Sequence, residues 1–151
     1  VKSEFNRSLV NRFHLELLDK GDLSVADEIV APEFLAHVPG APSNWLQGVE
    51  GVKRAVIALR AAFTDFSVKD REDTITKGGR VANRWVLTAT HTSEFLGIPA
   101  TGTRITITGI SICRVEPAGP GGKIEEIWVQ WDQLGLMQQL DAVHQHEAVS
   151  V

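Results

Sequence analysis

Apolar residues fall into two different rhythms along this chain, and the change between them divides the sequence. Leu9, Phe13 and Leu17 recur every four residues, with Val10 and Leu18 alongside, which predicts one amphipathic helix. Gly21 ends it as a residue just past the last turn. His14 lies beside that stripe and is expected on the helix surface. Ser24-Val25-Ala26-Asp27 resembles a capping box with a shortened acid, opening a brief helix that Pro32 terminates. A loop rich in Pro, Gly and Asn runs from Pro39 to Gly48. Val49, Val52, Val56, Leu59 and Phe63 then step by three and four, predicting a second long helix.

After Phe63 the rhythm shortens and β-branched and aromatic residues dominate. Strands are predicted over Phe66–Ile75, Arg80–His91, Arg104–Val115 and Lys123–Asp132. Lys77-Gly78-Gly79, the segment Gly97 to Gly102 and the segment Pro117 to Gly122 supply turn chemistry between them. Short connections make neighbouring strands antiparallel. A short helix from Gln133 to Leu140 follows, and the polar tail after Ala142 is expected to fray. Helices first and a strand meander afterwards is an α+β pattern, with helices on one face of a curved sheet. Residues 1–151 read as one domain with its core over about 5–140, without repeat or linker.

Composition narrows the function classes. The 151 residues are 43% hydrophobic and 23% charged, with a net charge of -4. That charge gives no footprint for nucleic acid or an anionic membrane. No apolar run has bilayer length and no signal-peptide pattern is visible; the single cysteine fits a reducing cytoplasm, and a cytoplasmic location is expected on that ground. Cys113 is the single cysteine, which rules out an intrachain disulfide and a thiolate metal cluster. It sits in the apolar run Ile110 to Val115 and reads as a small core residue. The chain has no tyrosine, so no phenol can serve as acid or oxyanion donor.

Asp132 stands out as candidate chemistry. It ends the run Ile124 to Trp131 and precedes the apolar segment Leu134 to Leu140. A poorly solvated carboxyl is fitted for general acid/base work, while an exposed one at this junction caps the last helix. Trp128 and Asp132 are four apart on a strand and share a face. If that face lines a cavity, Trp128 is a flat wall for an aromatic ring with Asp132 at its edge. His91 could donate to a substrate carbonyl or orient Asp132. His37 is expected at a pocket rim, and Trp45, in the Pro-rich loop, as a lid or dimer contact. Arg84 could pair with a carboxylate or a substrate acid group. Strand alternation puts Arg84 and His91 on opposite faces unless a bulge intervenes. No His-x-His or Glu-x-x-His spacing links these residues, so no metal site is expected.

An ordered set of segments resembles the SnoaL-like polyketide cyclases. These are Gly21-Asp22-Leu23, Ala31 to His37, Gly48 to Lys53, Phe63-Thr64-Asp65, Val81 to Trp85, Thr90 to Phe95 and Gly97 to Gly102. Ile127-Trp128 followed by Asp132 completes it. Ser93 departs from the glycine common after Thr-His-Thr in that family; Pro99-Ala100-Thr101-Gly102 keeps its pattern. The resemblance covers about residues 5 to 140. It implies a cone-shaped α+β barrel of the nuclear-transport-factor-two-like superfamily, which often forms homodimers through the outer face of the sheet. It also implies ring closure of a polyketide ester by intramolecular aldol condensation, without metal or organic cofactor. Asp132 matches the family's acid/base aspartate.

On that footing Asp132 and His91 are the expected catalytic residues. His37, Trp45, Arg84, Trp85, Phe95 and Trp128 are expected to contact a hydrophobic substrate. Asp132→Asn would then keep the fold and abolish turnover. Two rivals remain: another chemistry on a hydrophobic small molecule (hydration, isomerisation or hydroxylation), or a non-catalytic binding or dimerising module. The missing tyrosine weighs against an isomerase-type oxyanion hole. An epoxide-hydrolase-type relay could use Arg84 and Asp132 but finds no third carboxylate beside Val86.

Overall fold

The computed structural model describes residues 1–70 and 74–141. Its elements run α1 (Lys2–Arg12), a π-helical stretch (Phe13–Asp19), α2 (Ser24–Ile29), β1 (Val30–His37), a 3₁₀ turn (Ser43–Trp45) and α3 (Gly48–Ala62). Then come β2 (Phe63–Asp70), β3 (Ile75–Lys77), β4 (Arg80–His91), β5 (Arg104–Glu116), β6 (Lys123–Trp131) and α4 (Gln133–Gln139). The expected α+β architecture, helices packed on a mainly antiparallel sheet, is what the chain adopts.

The sheet order is β1-β6-β5-β4-β2, with β3 also on β4. All pairs are antiparallel except β1 with β6. β1 is absent from the four expected strands. Pro32 was expected to end the α2 segment, but the chain turns extended at Val30, at φ -101° and ψ 132°. Proline lacks the amide that an interior helix needs and sits well in an edge strand, which is where β1 lies. The next strand begins at Phe63 rather than Phe66, and a break between Thr64 and Ser67 places Asp65 at φ 50°. The start of α2 also differs: Leu23, not Ser24, is the N-cap residue and makes no side-chain cap bond, while Asp22 Oδ1 accepts from the Ser24 amide at 3.2 Å. The tail after Ala142 lies outside the described residues.

Two hydrophobic clusters fill the interior. One joins α1, α2 and α3 to β1 and β6 through Val10, Leu17, Ile29, Phe34, Val56 and Ile124. The other joins the far end of the sheet to α4 through Phe63, Leu87, Phe95, Ile105 and Leu136. Leu18 packs against both. The clusters do not fuse into one continuous core, and the seam between them is hollow.

Among the described residues no helix is long and apolar enough to cross a membrane.

Candidate active site

The hollow is a cavity of about 200 Å³ walled by both clusters. Phe13, Phe34, Val56 and Ile127 come from one side, and Leu87, Phe95, Ile107 and Leu136 from the other. Trp45, Trp85 and Trp131 add three indoles. Such a lining suits an apolar, flat molecule, since ligand sites are concave, mostly apolar and carry few polar groups.

The few polar groups are concentrated. His14 and Ser111 are the polar side chains of the wall besides the indole nitrogens, and each is only 2% exposed. Asn83 Nδ2 donates to His14 Nδ1 at 3.2 Å. Trp85 Nε1 donates to Ser111 Oγ at 2.8 Å. Asn83 and Ser111 face each other directly across β4 and β5. Glycine 109, opposite Trp85 in the same ladder, makes room for this arrangement: a Cβ there would run into the Trp85 ring.

His14 is the residue that the sequence reading misplaced. The signal was available: Val10, Phe13, His14 and Leu17 fall at i, i+3, i+4 and i+7, which puts His14 in the middle of the stripe. The helix also widens here, with the Lys20 amide bonding the Leu15 carbonyl five residues back at 3.1 Å. Such π turns are rare and recur at functional sites.

Of the expected substrate contacts, Trp45, Trp85 and Phe95 line the cavity together. Trp45 and Phe95 rings lie 6.4 Å apart. Trp128, His37 and Arg84 do not reach it. Along β6 the buried positions are Ile124 and Ile127, and Val129 and Trp131 also line the cavity, so Trp128 points outward. It stacks on His37 at 5.4 Å and 12°, beneath the Arg80 guanidinium at 5.3 Å. His37 Nε2 bonds Glu126 Oε2 at 2.6 Å. That bond, with help from Arg114 at 3.2 Å, holds the Glu126 carboxyl below the usual glutamate range. Arg84 also lies outside, bordering a shallow groove with Val86, Thr108, Ile110, Gln130 and Asp132. The alternation argument therefore holds for Arg84 and His91: the first is exposed, the second wholly buried.

Buried does not mean lining. His91 sits behind Phe63, its ring 5.4 Å away, and does not border the cavity. Its Nδ1 accepts from the Thr101 amide at 3.3 Å and pairs with Thr101 Oγ1 at 2.9 Å. Together with backbone bonds to Gly102 and Thr103, this clasps the loop that carries Phe95 and Leu96, both in the cavity wall.

Asp132 shares the outward face with Trp128, as the strand period requires, but that face is not the cavity face. Its Oδ1 accepts from the Gly135 amide at 2.8 Å and caps α4. The side chain is exposed, beyond the Trp85–Trp131 wall that borders both cavity and groove. Among the described residues no group of three His, Cys, Asp or Glu side chains is placed to hold a metal ion.

A curved α+β sheet closing on an apolar cavity through its helices defines a small-molecule pocket protein. The profile of the SnoaL-like polyketide cyclase family matches residues 8–140, and the chain belongs to that family. Its fold is the cone-shaped one of the nuclear-transport-factor-two-like proteins. The solved structures similar to this chain include three that share its fold. TsrD from Streptomyces laurentii is 26% identical at a TM-score of 0.77, covering 91% of this chain and 95% of that one. A candidate polyketide cyclase from Acidithiobacillus ferrooxidans is 29% identical at 0.76, covering 92% and 96%. IdmH from Streptomyces antibioticus, also named a candidate polyketide cyclase, is 27% identical at 0.73, covering 90% and 98%. No curated protein matches the chain at a significant level.

Proposed function

We propose that this protein closes a ring of a polyketide-like ester by intramolecular aldol condensation, inside the cavity and without metal or organic cofactor. The carrying observation is an apolar, aromatic-walled cavity with one small polar patch. Such a space folds a flexible, flat-ended substrate onto itself and keeps water from the enolate. The chemistry asks for little else. A proton leaves a carbon beside a carbonyl, that carbon bonds to a second carbonyl carbon, and a proton is delivered to the new alkoxide.

Family membership supports Asp132 for both proton steps. Its geometry favours a second reading, a non-catalytic binding module, because the carboxylate is engaged by the Gly135 amide and opens outward. Asp132→Asn separates the two, since asparagine caps a helix as well as aspartate does. With Asp132 as acid/base, the variant melts with the wild type and loses cyclisation of a linear aromatic polyketide ester, followed by chromatography. An unchanged rate removes Asp132 from the chemistry. A wild type that binds such esters without converting them supports the binding module.

A homodimer through the outer face of the sheet belongs to the same reading. What supports it is the apolar exposure of that face: Ile110 is 52% and Ile112 38% exposed, beside Trp128.

A further inference from the structure

One row of the sheet's inner face holds two tryptophans with no side chain between them. Trp85 on β4, Gly109 on β5 and Trp131 on β6 are direct neighbours across the three strands. A glycine inside a long strand weakens it and tends to stand where something comes close to the backbone. Here that is the Trp85 ring. A Cβ at Gly109 would fall on Cζ2 of the indole, with Cη2 at 2.6 Å and Cε2 at 2.7 Å. The two atoms bonded to Cζ2 are thus about equally near, one on either side of it. An approach along the ring plane would leave both much farther off. Gly109 therefore meets the face of the indole, and the ring lies flat along the sheet. We propose that Trp85, bedded on Gly109, is the specificity-determining platform of the cavity, on which a planar aromatic ring of the substrate stacks. The inference rests on the cavity being where the substrate binds.

The surroundings of the ring separate a platform from mere filling. Trp85 borders the cavity and Gly109 does not, so the indole lies between the glycine and the open space. One face is spent on the backbone and the other is turned inward. Among the described residues no aromatic ring or guanidinium packs on that second face. Trp131, at the far end of the row, is drawn away from it: its Nε1 donates to the Pro39 carbonyl at 2.8 Å, in the loop after β1. The rotation of Trp85 is fixed as well, since its Nε1 donates to Ser111 Oγ at 2.8 Å, two residues along β5 from the glycine. A ring held by its nitrogen and bedded on bare backbone has its orientation before a ligand arrives, so binding orders little. Aromatic rings gain from offset parallel contact beyond the area they bury, and a saturated ring does not. A puckered ring of the same carbon count also brings only part of its atoms against the plane. Gly109 and Ser111 are positioning residues: the first gives the indole its bed, the second its rotation.

The test uses 2-naphthol and trans-decahydro-2-naphthol, which share a carbon skeleton and a hydroxyl and differ in planarity. Calorimetric titration of the intact protein should find the planar probe about fivefold tighter, the ratio that an aromatic stack adds beyond buried area. Trp85→Leu should bring the two affinities within about twofold of each other, and Trp85→Phe should keep part of the preference, by the same reasoning. Gly109→Ala keeps the tryptophan but tips it off its bed, and should level the two probes as well. A purely structural role would weaken both probes alike and leave their ratio unmoved. Bound ring protons of 2-naphthol should shift upfield in NMR spectra, from the ring current of a stacked indole, and shift less in Trp85→Leu. Equal affinities in the wild type, or a preference that survives both Trp85→Leu and Gly109→Ala, overturns the platform and leaves the cavity reading standing. Failure of both probes to bind overturns the cavity reading and the platform with it. A preference that disappears with Trp85, in a protein that cyclises no ester, supports the platform and overturns the cyclase reading alone. Should Trp85→Leu fail to fold, Trp85→Phe carries the comparison, and an undiminished preference there overturns the platform.

Discussion

The two faces of the sheet carry similar residue types and put them to opposite uses. Inside, a histidine and a serine border the apolar cavity, the first bonded to an asparagine and the second to a tryptophan. Outside, a histidine, two arginines, two glutamates and a tryptophan form a ladder in which His37 stacks on Trp128 and Arg114 grips Glu125 and Glu126. Ion pairs with water beside them contribute little to stability. The buried set interacts through a lower dielectric, where a hydrogen bond is stronger and an unmade one costs more. Residue type therefore says less about role than the parity of a strand position does. Asp132 and Trp128 fall on one parity, Trp131 and Val129 on the other, and the second faces the cavity.

Substitutions that differ only in face test this directly. The largest contrast is between two isoleucines. Ile124→Ala, at a position with no exposure, should cost about 2–5 kcal/mol in urea unfolding. Ile110→Ala, 52% exposed, should stay within about 0.5 kcal/mol in the monomer. Equal losses would mean that the outer face is covered as fully as the core. Next comes Gly109→Ala, whose methyl would displace the Trp85 ring from the inner face. It should cost about 1–3 kcal/mol, as overpacking does. It should also loosen the Trp85–Ser111 bond in the cavity wall, so affinity for a linear aromatic polyketide ester falls together with stability. A loss of stability with intact binding would detach Trp85 from the site. The smallest effect belongs to the cap. Asp132→Ala should lose about 1 kcal/mol. Asp132→Asn should lose only a few tenths by the same scale, measured as a difference in denaturation midpoint.

Much of the fold is legible in the residues. The long helices, the three long antiparallel strands and their turns follow from period and from glycine and proline placement. β1 is not, because Val30 to His37 carries a proline and a charge and shows no clean alternation; it is held as an edge strand by parallel pairing with β6, a partner about ninety residues away. The candidate site is less legible. Trp45, Trp85 and Phe95 reach the cavity as their aromatic character suggests. For Trp128 and Asp132 the shared face was readable, but which face is covered depends on where α3 and α1 dock, a long-range fact. His14 is legible from its place in the apolar stripe, although a polar ring by itself favours the helix surface. His91 was readable as inward-facing, but not as a residue behind Phe63.

The widened turn at Phe13–Asp19 sets the phase between two stretches of one rod. Residues before it and after it address different walls of the molecule, and the offset is worth a single residue. Removing one position there would wind the rod back to its ordinary pitch and rotate His14 against its strand partners, with every strand left untouched. A lineage could in this way retune what the cavity recognises by one codon's insertion or loss, at a place where the chain already departs from regular winding.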